Sequence, residues 1–247
     1  MEFNFGRVIG RTFSTLGTNP VVFFGMSFLV AGLGGTFSAV INAQATGAFA
    51  EGIFSPLWIV GFIAAFIVPL IAGVLTNAAL IFAAAESYKG RKASFGESLS
   101  KALPHLFPLI AISILYTLGL MLGFLLLIIP GIFLLVIWSV TIPVRVAEGT
   151  GVTESFGRSR ELAKGLFWPI FGLLIVYFIG SSVVGDALAA SGFMVSIQSL
   201  GAVAIIGTLI VNTFTGAVAA SGSASLYYEL RTVKEGTPTD EVVEIFA

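Results

Sequence analysis

Residues Phe107–Glu148 read FPLIAISILYTLGLMLGFLLLIIPGIFLLVIWSVTIPVRVAE and carry no charge before Arg145. A hydrocarbon layer about 30 Å thick is crossed by roughly 20 apolar residues of helix, and this run is nearly twice as long. Two spans joined by a tight turn is the economical reading. Pro130 lacks a backbone N–H and Gly131 tolerates positive φ, so the pair is suited to reverse the chain between Ile129 and Ile132. The spans expected are about Phe107–Leu127 and Gly131–Val146, and the hairpin returns Arg145 and Glu148 to the side that holds Lys101.

Outside this stretch the pattern persists. Of 247 residues, 57% are hydrophobic and 10% charged, against about 25% charged in a soluble domain, so water is not the solvent for most of the surface. The absence of cysteine excludes disulfides, thiolate catalysis and cysteine-bound zinc or iron–sulfur centres. Arg7 and Arg11 sit in an amphipathic pattern with no apolar run before them, so a cleaved leader is not expected and the first span should remain as an anchor.

Along the chain, Phe5, Val8, Ile9, Thr12, Phe13 and Leu16 recur at helical steps opposite Asn4, Arg7, Arg11 and Thr15. That pattern predicts a helix lying in the membrane interface with its apolar side toward acyl chains, or packed on the spans. Asn19-Pro20 should end it and open span 1, about Pro20–Ile41. A loop at Gln44–Phe54 with Glu51 precedes span 2, about Pro56–Ala85, which contains Asn77 and ends at Glu86, Tyr88, Lys89, Arg91 and Lys92. Ser94 and Glu97 have capping-box spacing ahead of an apolar stripe of Phe95, Leu99, Ala102 and Leu106, and Pro104 should kink or shorten that helix. Gly119 and Gly123 form a GxxxG spacing, read as internal packing. After the hairpin, Phe156, Leu162, Ala163 and Leu166 oppose Arg158, Glu161 and Lys164. Span 5, about Pro169–Ala189, a loop at Ser191–Gly201, and span 6, about Ala202–Tyr227 with Asn212 and small residues Gly216, Ala220, Gly222 and Ser223, complete the membrane part. A charged, mobile tail is expected from Glu229 onward, with the domain boundary at residue 230 and a cytoplasmic tail over 231–247.

Sliding Ser94–Gly119 onto Ser155–Gly180 matches Ser, Phe, Gly and Ser at the start, then Pro108 with Pro169, Tyr116 with Tyr177 and Gly119 with Gly180. Shared greasiness does not match glycine, proline and tyrosine together. Phe5-Gly6 followed by Pro20 reads as a looser third copy. The expected fold is therefore all-α and integral to a membrane: six transmembrane helices as three parallel helix-hairpin repeats, about 3–92, 93–150 and 151–230, each preceded by an amphipathic interfacial helix. Charge tests this threading independently. With six spans all 12 Lys and Arg residues fall on the face holding both termini, and the other face has only Glu51 and Asp186. By the positive-inside rule both termini are expected in the cytoplasm.

The residues Ile129-Pro130-Gly131-Ile132, then Pro143, Glu148, Phe156, Arg158-Ser159, Leu162, Lys164-Gly165 and Trp168, and the closing Leu226-Tyr227-Tyr228-Glu229-Leu230-Arg231, together resemble the membrane domain found in some glycerophosphoryl diester phosphodiesterases. They are also similar to uncharacterised six-span bacterial inner-membrane proteins. The resemblance spans essentially the whole chain and implies a stand-alone domain, without the catalytic domain, in a bacterial cytoplasmic membrane. Phosphodiesterase activity does not carry over, because that chemistry needs a soluble barrel with histidines and a carboxylate-bound metal.

Chemistry has few places to reside. His105 is the one histidine, beside Pro104, and reads as a surface or packing residue; no second carboxylate is placed in a span to form an acid–base pair. The expectation is no catalytic residue, no metal and no cofactor. Asn77 and Asn212 are intramembrane polar candidates, which more often bond between helices than bind substrate. Asp186 lies about 26 Å along its helix from Pro169 and should reach the outer interface. At the basic rim, Arg145, Glu148, Arg158, Arg160 and Lys164 have two readings: an anionic lipid-headgroup site, or a structural belt with a Glu148–Arg158 ion pair. The function expected is a non-enzymatic membrane scaffold or lipid-interacting component, with membrane lipids and an unidentified protein as partners and no nucleic acid. The alternative is a facilitative transporter or lipid translocator without an ion-coupling carboxylate, its cavity lined by Asn77 and Asn212.

Overall fold

Asn4 starts the first helix, its side chain accepting the Arg7 N–H at 3.0 Å. This α1 (Phe5–Thr18) stops at Asn19, and Pro20 occupies the first position of the next helix, where its missing N–H is an orphan anyway. The computed structural model describes residues 2–37, 41, 56–88, 90–190 and 202–236, without the side chains of 31, 56–59, 62–66, 68–69, 184–190 and 202–204. The expected loops Gln44–Phe54, with Glu51, and Ser191–Gly201, the side chain of Asp186, Lys89 and the tail beyond Gly236 lie outside the described residues.

Every element among the described residues is helical. After α1 come α2 (Pro20–Ser27), which continues through a π-helical stretch Phe28–Gly32 to Phe37, and α3 (Pro56–Tyr88). Then follow α4 (Phe95–Ala102), α5 (Leu106–Leu126), α6 (Ile128–Ile137), α7 (Thr141–Glu148), α8 (Val152–Ala163), α9 (Phe167–Ala190) and α10 (Ala202–Glu235). Five segments are long and apolar enough to cross a membrane: Pro20–Phe37, Leu70–Tyr88, Phe95–Leu126, Ile128–Glu148 and Ile205–Glu235. A sixth arises if α8 and α9, bent by 103° at their junction, count as one broken span.

The core is built where α10 meets α1, α2 and α3. On α3 the run Ala78-Ala79-Leu80-Ile81, with Ala83, Ala84 and Ala85, is fully buried, and on α10 Ala217, Ser221, Ala224 and Ser225 are buried. Small side chains let backbones approach closely, and hydroxyls then bond across the gap. Ser221 Oγ donates to Thr12 O at 3.0 Å, and the Tyr88 hydroxyl lies 2.9 Å from Ser225 Oγ. Gly32 and Gly35 of the α2 segment press on Thr213 and Asn212, where an added Cβ would come within 2.6 and 2.7 Å of side-chain atoms.

Of the two readings of α1 the packed one fits, and two further expectations are corrected. The helix α1 does not turn its whole apolar stripe to lipid: Val8, Thr12, Thr15 and Leu16 are buried, while Phe5 and Phe13 are exposed. Burial of the threonines is cheap because Thr12 and Thr15 donate to the carbonyls of Val8 and Arg11 at 2.8 and 2.7 Å. The central hairpin does not reverse at Pro130-Gly131. It reverses at Leu127, whose backbone is extended (φ −165°, ψ 155°), and Pro130 falls in the first turn of α6, where no intrahelical bond is lost. Gly131 is buried and helical, and an added Cβ would sit 2.5 Å from the Phe124 ring, so its smallness serves the crossing of α5 and α6. Finally, the last helix does not yield to a tail at Glu229 or at residue 230; it runs to Glu235, and Glu229 is fully buried.

Gly119 and Gly123 face inward as expected, the first against the Trp138 ring and the second against Gly131 and Leu134. The tip around Leu127 is wholly aliphatic, with Leu125, Leu126, Leu127, Ile128 and Ile129 all exposed. Pro104 interrupts its helix with a single 3-10 turn, Leu103–His105. The segments paired as repeats differ in detail. Ser94 caps α4 from outside, accepting the Glu97 N–H at 3.2 Å, whereas Ser155 lies inside α8 and donates to Gly151 O at 2.7 Å. Tyr116 packs on Trp138, whereas the Tyr177 hydroxyl lies 2.7 Å from Thr12 Oγ1.

Candidate functional site

The ends of α7, α8 and α10 carry most of the rim residues singled out above, and each is positioned by a local cause. Gly149 (φ +65°) ends α7 in the left-handed conformation that glycine adopts without strain. That turn sends the chain into α8, whose start is fixed by Glu154 accepting the Gly151 N–H at 2.8 Å. Arg145 folds back on its own helix end and donates to the carbonyls of Gly149, at 2.6 Å, and Thr150. It therefore satisfies carbonyls that the helix leaves open.

Glu148, at the last turn of α7, accepts from two sides. Arg158 Nε donates to Oε2 at 2.9 Å and the Tyr227 hydroxyl donates to Oε1 at 3.0 Å. Arg158 also pairs with Glu235, which accepts from Arg231 Nε at 2.7 Å, and Arg231 donates to the Tyr227 oxygen at 3.1 Å. The five side chains close a ring, Glu148–Arg158–Glu235–Arg231–Tyr227, with two cations and two carboxylates. Its charges are mutually satisfied, and it ties α7 and α8 to the end of α10. Of these residues Glu148 and Arg158 belong to the expected belt; Tyr227, Arg231 and Glu235 do not.

Arg160 and Lys164 part from their neighbours. Both are exposed, and neither side chain has a hydrogen bond or ion pair among the described residues. They rim a cleft of about 520 Å³ whose floor is Phe133, Ile137, Ala163 and Phe167, with Glu161 on the same rim. The rings of Phe133 and Phe167 stack at 5.9 Å, and Trp168 beside them is exposed. Gly165 (φ +79°) supplies the sharp turn from α8 to α9 that opens the cleft. Two cations above an apolar floor suit an amphiphile with an anionic head.

A second ionic centre lies at the other junction of the chain. Glu229 is fully buried on α10 and receives Arg7 through Nε and Nη2, each at 2.7 Å, with Arg11 Nη1 at 3.4 Å and the Asn4 N–H at 3.1 Å. This is the bidentate geometry in which guanidinium and carboxylate pair most strongly. Hydrogen bonding to Glu229 raises the Arg7 pKa above its ordinary value, so the guanidinium stays charged. The signal was present in sequence as a carboxylate following Tyr227-Tyr228 and two arginines near the start, but nothing in spacing joins them.

Asn212 is packed on Gly35, and Asn77 is half-buried with its Oδ1 unpaired; no hydrogen bond joins the two among the described residues. His105 packs on Phe82 with the rings tilted at 48° and their centroids 5.8 Å apart. No group of three histidine, aspartate or glutamate side chains among the described residues is placed to hold a metal. No family model, curated protein or solved structure matches the chain.

Proposed function

We propose that this chain is a non-enzymatic, six-span protein of a bacterial cytoplasmic membrane, and that it acts as a lipid-binding scaffold. On this reading both termini face the cytoplasm, the hairpins form three parallel repeats, and the likeness to the membrane domain of glycerophosphoryl diester phosphodiesterases reflects shared ancestry of the membrane part alone. The observation that carries the reading is the cleft under Arg160 and Lys164. Arg145, Glu148 and Arg158 are consumed by internal bonds, so the rim keeps two uncommitted cations, and they stand over the aromatic floor. A phosphate head between Arg160 and Lys164 with its chains along Phe133 and Phe167 satisfies both halves.

The test is retention of lipid. The wild type and the R160A/K164A variant are purified from phosphatidylglycerol-containing membranes, and bound lipid is counted by native mass spectrometry. At least a fivefold loss of phosphatidylglycerol in the variant is expected, with phosphatidylethanolamine unchanged. Equal retention overturns the reading.

The competing function, facilitative transport, draws on a different feature. The helix break at Trp138–Val140, within the candidate span Ile128–Glu148, lies against a cavity that also carries serine, threonine and tyrosine residues, and broken helices line the pathways of many carriers. Flux of a solute through reconstituted vesicles, abolished by closing that cavity, would favour it over the scaffold.

A further inference from the structure

Between α6 and α7 the chain leaves the helix for three residues, Trp138–Val140, in the middle of the candidate span Ile128–Glu148. Helices cross lipid because their backbone groups are paired internally, so an interruption at this depth needs compensation. Part of it is visible. Ser159 Oγ reaches from α8 to donate to Ile137 O at 2.8 Å, and Thr141 Oγ1 donates to Trp138 O at 2.9 Å. The break lies against a cavity of about 300 Å³ lined from α5, the break, the start of α7 and α10.

Three residues of that lining, Ser113, Tyr116 and Ser223, are half-buried and their hydroxyls have no hydrogen-bond partner among the described residues. The Ser139 oxygen is unpaired too, but it is sealed off and the cavity does not reach it. Three open hydroxyls around one cavity are the pattern of a site whose partner is a ligand. The lining holds no aspartate, glutamate, lysine or arginine. An ion there would be unneutralised in a low-dielectric setting, so the ligand is uncharged. Hydroxyls both donate and accept, which suits an alcohol or an ester carbonyl. Thr117 is an exposed residue of the lining and is flanked on α5 by exposed Ile114 and Leu118, which puts an apolar surface beside the cavity.

We propose that this cavity binds the glycerol portion of an uncharged lipid, with the acyl chains running out past Ile114 and Leu118. The shared chemistry, a neutral polyol, also exists as free glycerol. The inference rests on the chain being embedded in a bilayer and is independent of the cleft under Arg160 and Lys164.

Trp138 lines the cavity and reports on it once the other two tryptophans are replaced (Trp58→Phe, Trp168→Phe). That protein, in phosphatidylcholine nanodiscs, is titrated with dioleoylglycerol and separately with glycerol while Trp138 emission is followed. A saturable change with dioleoylglycerol is expected, its midpoint raised at least tenfold by S113A/S223A and also by Tyr116→Phe, which keeps the ring. Saturation by glycerol instead supports the same site with a water-borne ligand. No saturation with either titrant, or identical midpoints in the parent and both variants, overturns the proposal. Circular dichroism and gel filtration verify that the variants are folded, and phosphatidylglycerol retention on the same samples reports separately on the headgroup cleft.

Discussion

Arg7 and Glu229 are 222 positions apart in the chain and meet through two 2.7 Å hydrogen bonds. The pairing fastens the first helix to the last, and its two members are unequal. The Arg7 side chain is 36% exposed and the Glu229 side chain 0%, so only the arginine can turn to water when its partner is lost.

Arg7→Ala should therefore be the more harmful change. It leaves a buried carboxylate with only Arg11 at 3.4 Å and the Asn4 N–H, a cost of about 3–5 kcal/mol by the general behaviour of broken buried pairs. Glu229→Gln keeps the shape, removes the charge and should cost less than half as much. The double variant should regain part of the stability lost in Arg7→Ala. Thermal unfolding in detergent gives the order; equal losses in the two single variants would show that burial of Glu229 is not what sets the cost.

Arg158 and Arg160 should separate cleanly in a crossed experiment. Arg158→Ala opens the ring at Glu148 and Glu235 and should lower stability by about 1.5–3 kcal/mol, the usual worth of charged hydrogen bonds, with bound phosphatidylglycerol unchanged. Arg160→Ala should do the reverse. Melting temperature and lipid count on the same preparations decide, and parallel effects of both variants would refute the division of the rim.

Glycine replacements probe the central hairpin. At Gly131 an added methyl meets the Phe124 ring at 2.5 Å and at Gly119 it runs into the Trp138 ring, whereas at Gly180 nothing lies within 4 Å. Gly131→Ala and Gly119→Ala should each cost about 1–3 kcal/mol through overpacking. Gly180→Ala should be neutral or stabilising by up to about 1 kcal/mol, since alanine loses less backbone freedom in a helix. Unfolding midpoints in denaturant rank the three, and a Gly131→Ala protein as stable as Gly180→Ala would contradict the close crossing.

Removing the Ser159 hydroxyl isolates the helix break. Ser159→Ala leaves Ile137 O without the donor it has at 2.8 Å, at a cost of about 1–3 kcal/mol for a buried carbonyl left unpaired. The exposed Ser100→Ala, which gives up only a bond within its own helix, should fall within about 0.5 kcal/mol of wild type. Hydrogen exchange at the Thr141–Glu148 amides should quicken in the first variant and not in the second.

Local rules made parts of this architecture legible. Asn19-Pro20 and Pro104 broke helices where proline chemistry requires, and Gly119 and Gly123 turned inward. The reversal at Leu127 was not legible, because an extended leucine carries no side-chain signal and the adjacent Pro130-Gly131 offered a stronger one that served another purpose. The belt was read as one group although Arg158 and Arg160 stand two residues apart on a helix and so point about 200° apart. Only α10, carrying Tyr227, Arg231 and Glu235, decides which of them is consumed. Hydroxyls in helices often bond to their own backbone, as those of Ser87 and Thr117 do. That Ser113, Trp138 and Ser223 line one cavity is a property of three elements at once.

The aliphatic tip at Leu125–Ile129 has one more implication. Two of its backbone N–H groups are paired, that of Leu127 with Gly123 O and that of Gly131 with Leu127 O, and every side chain there is aliphatic. On the threading proposed above, proteases and antibodies confined to the far aqueous compartment would find no polar side chain to grip on the middle pair of helices.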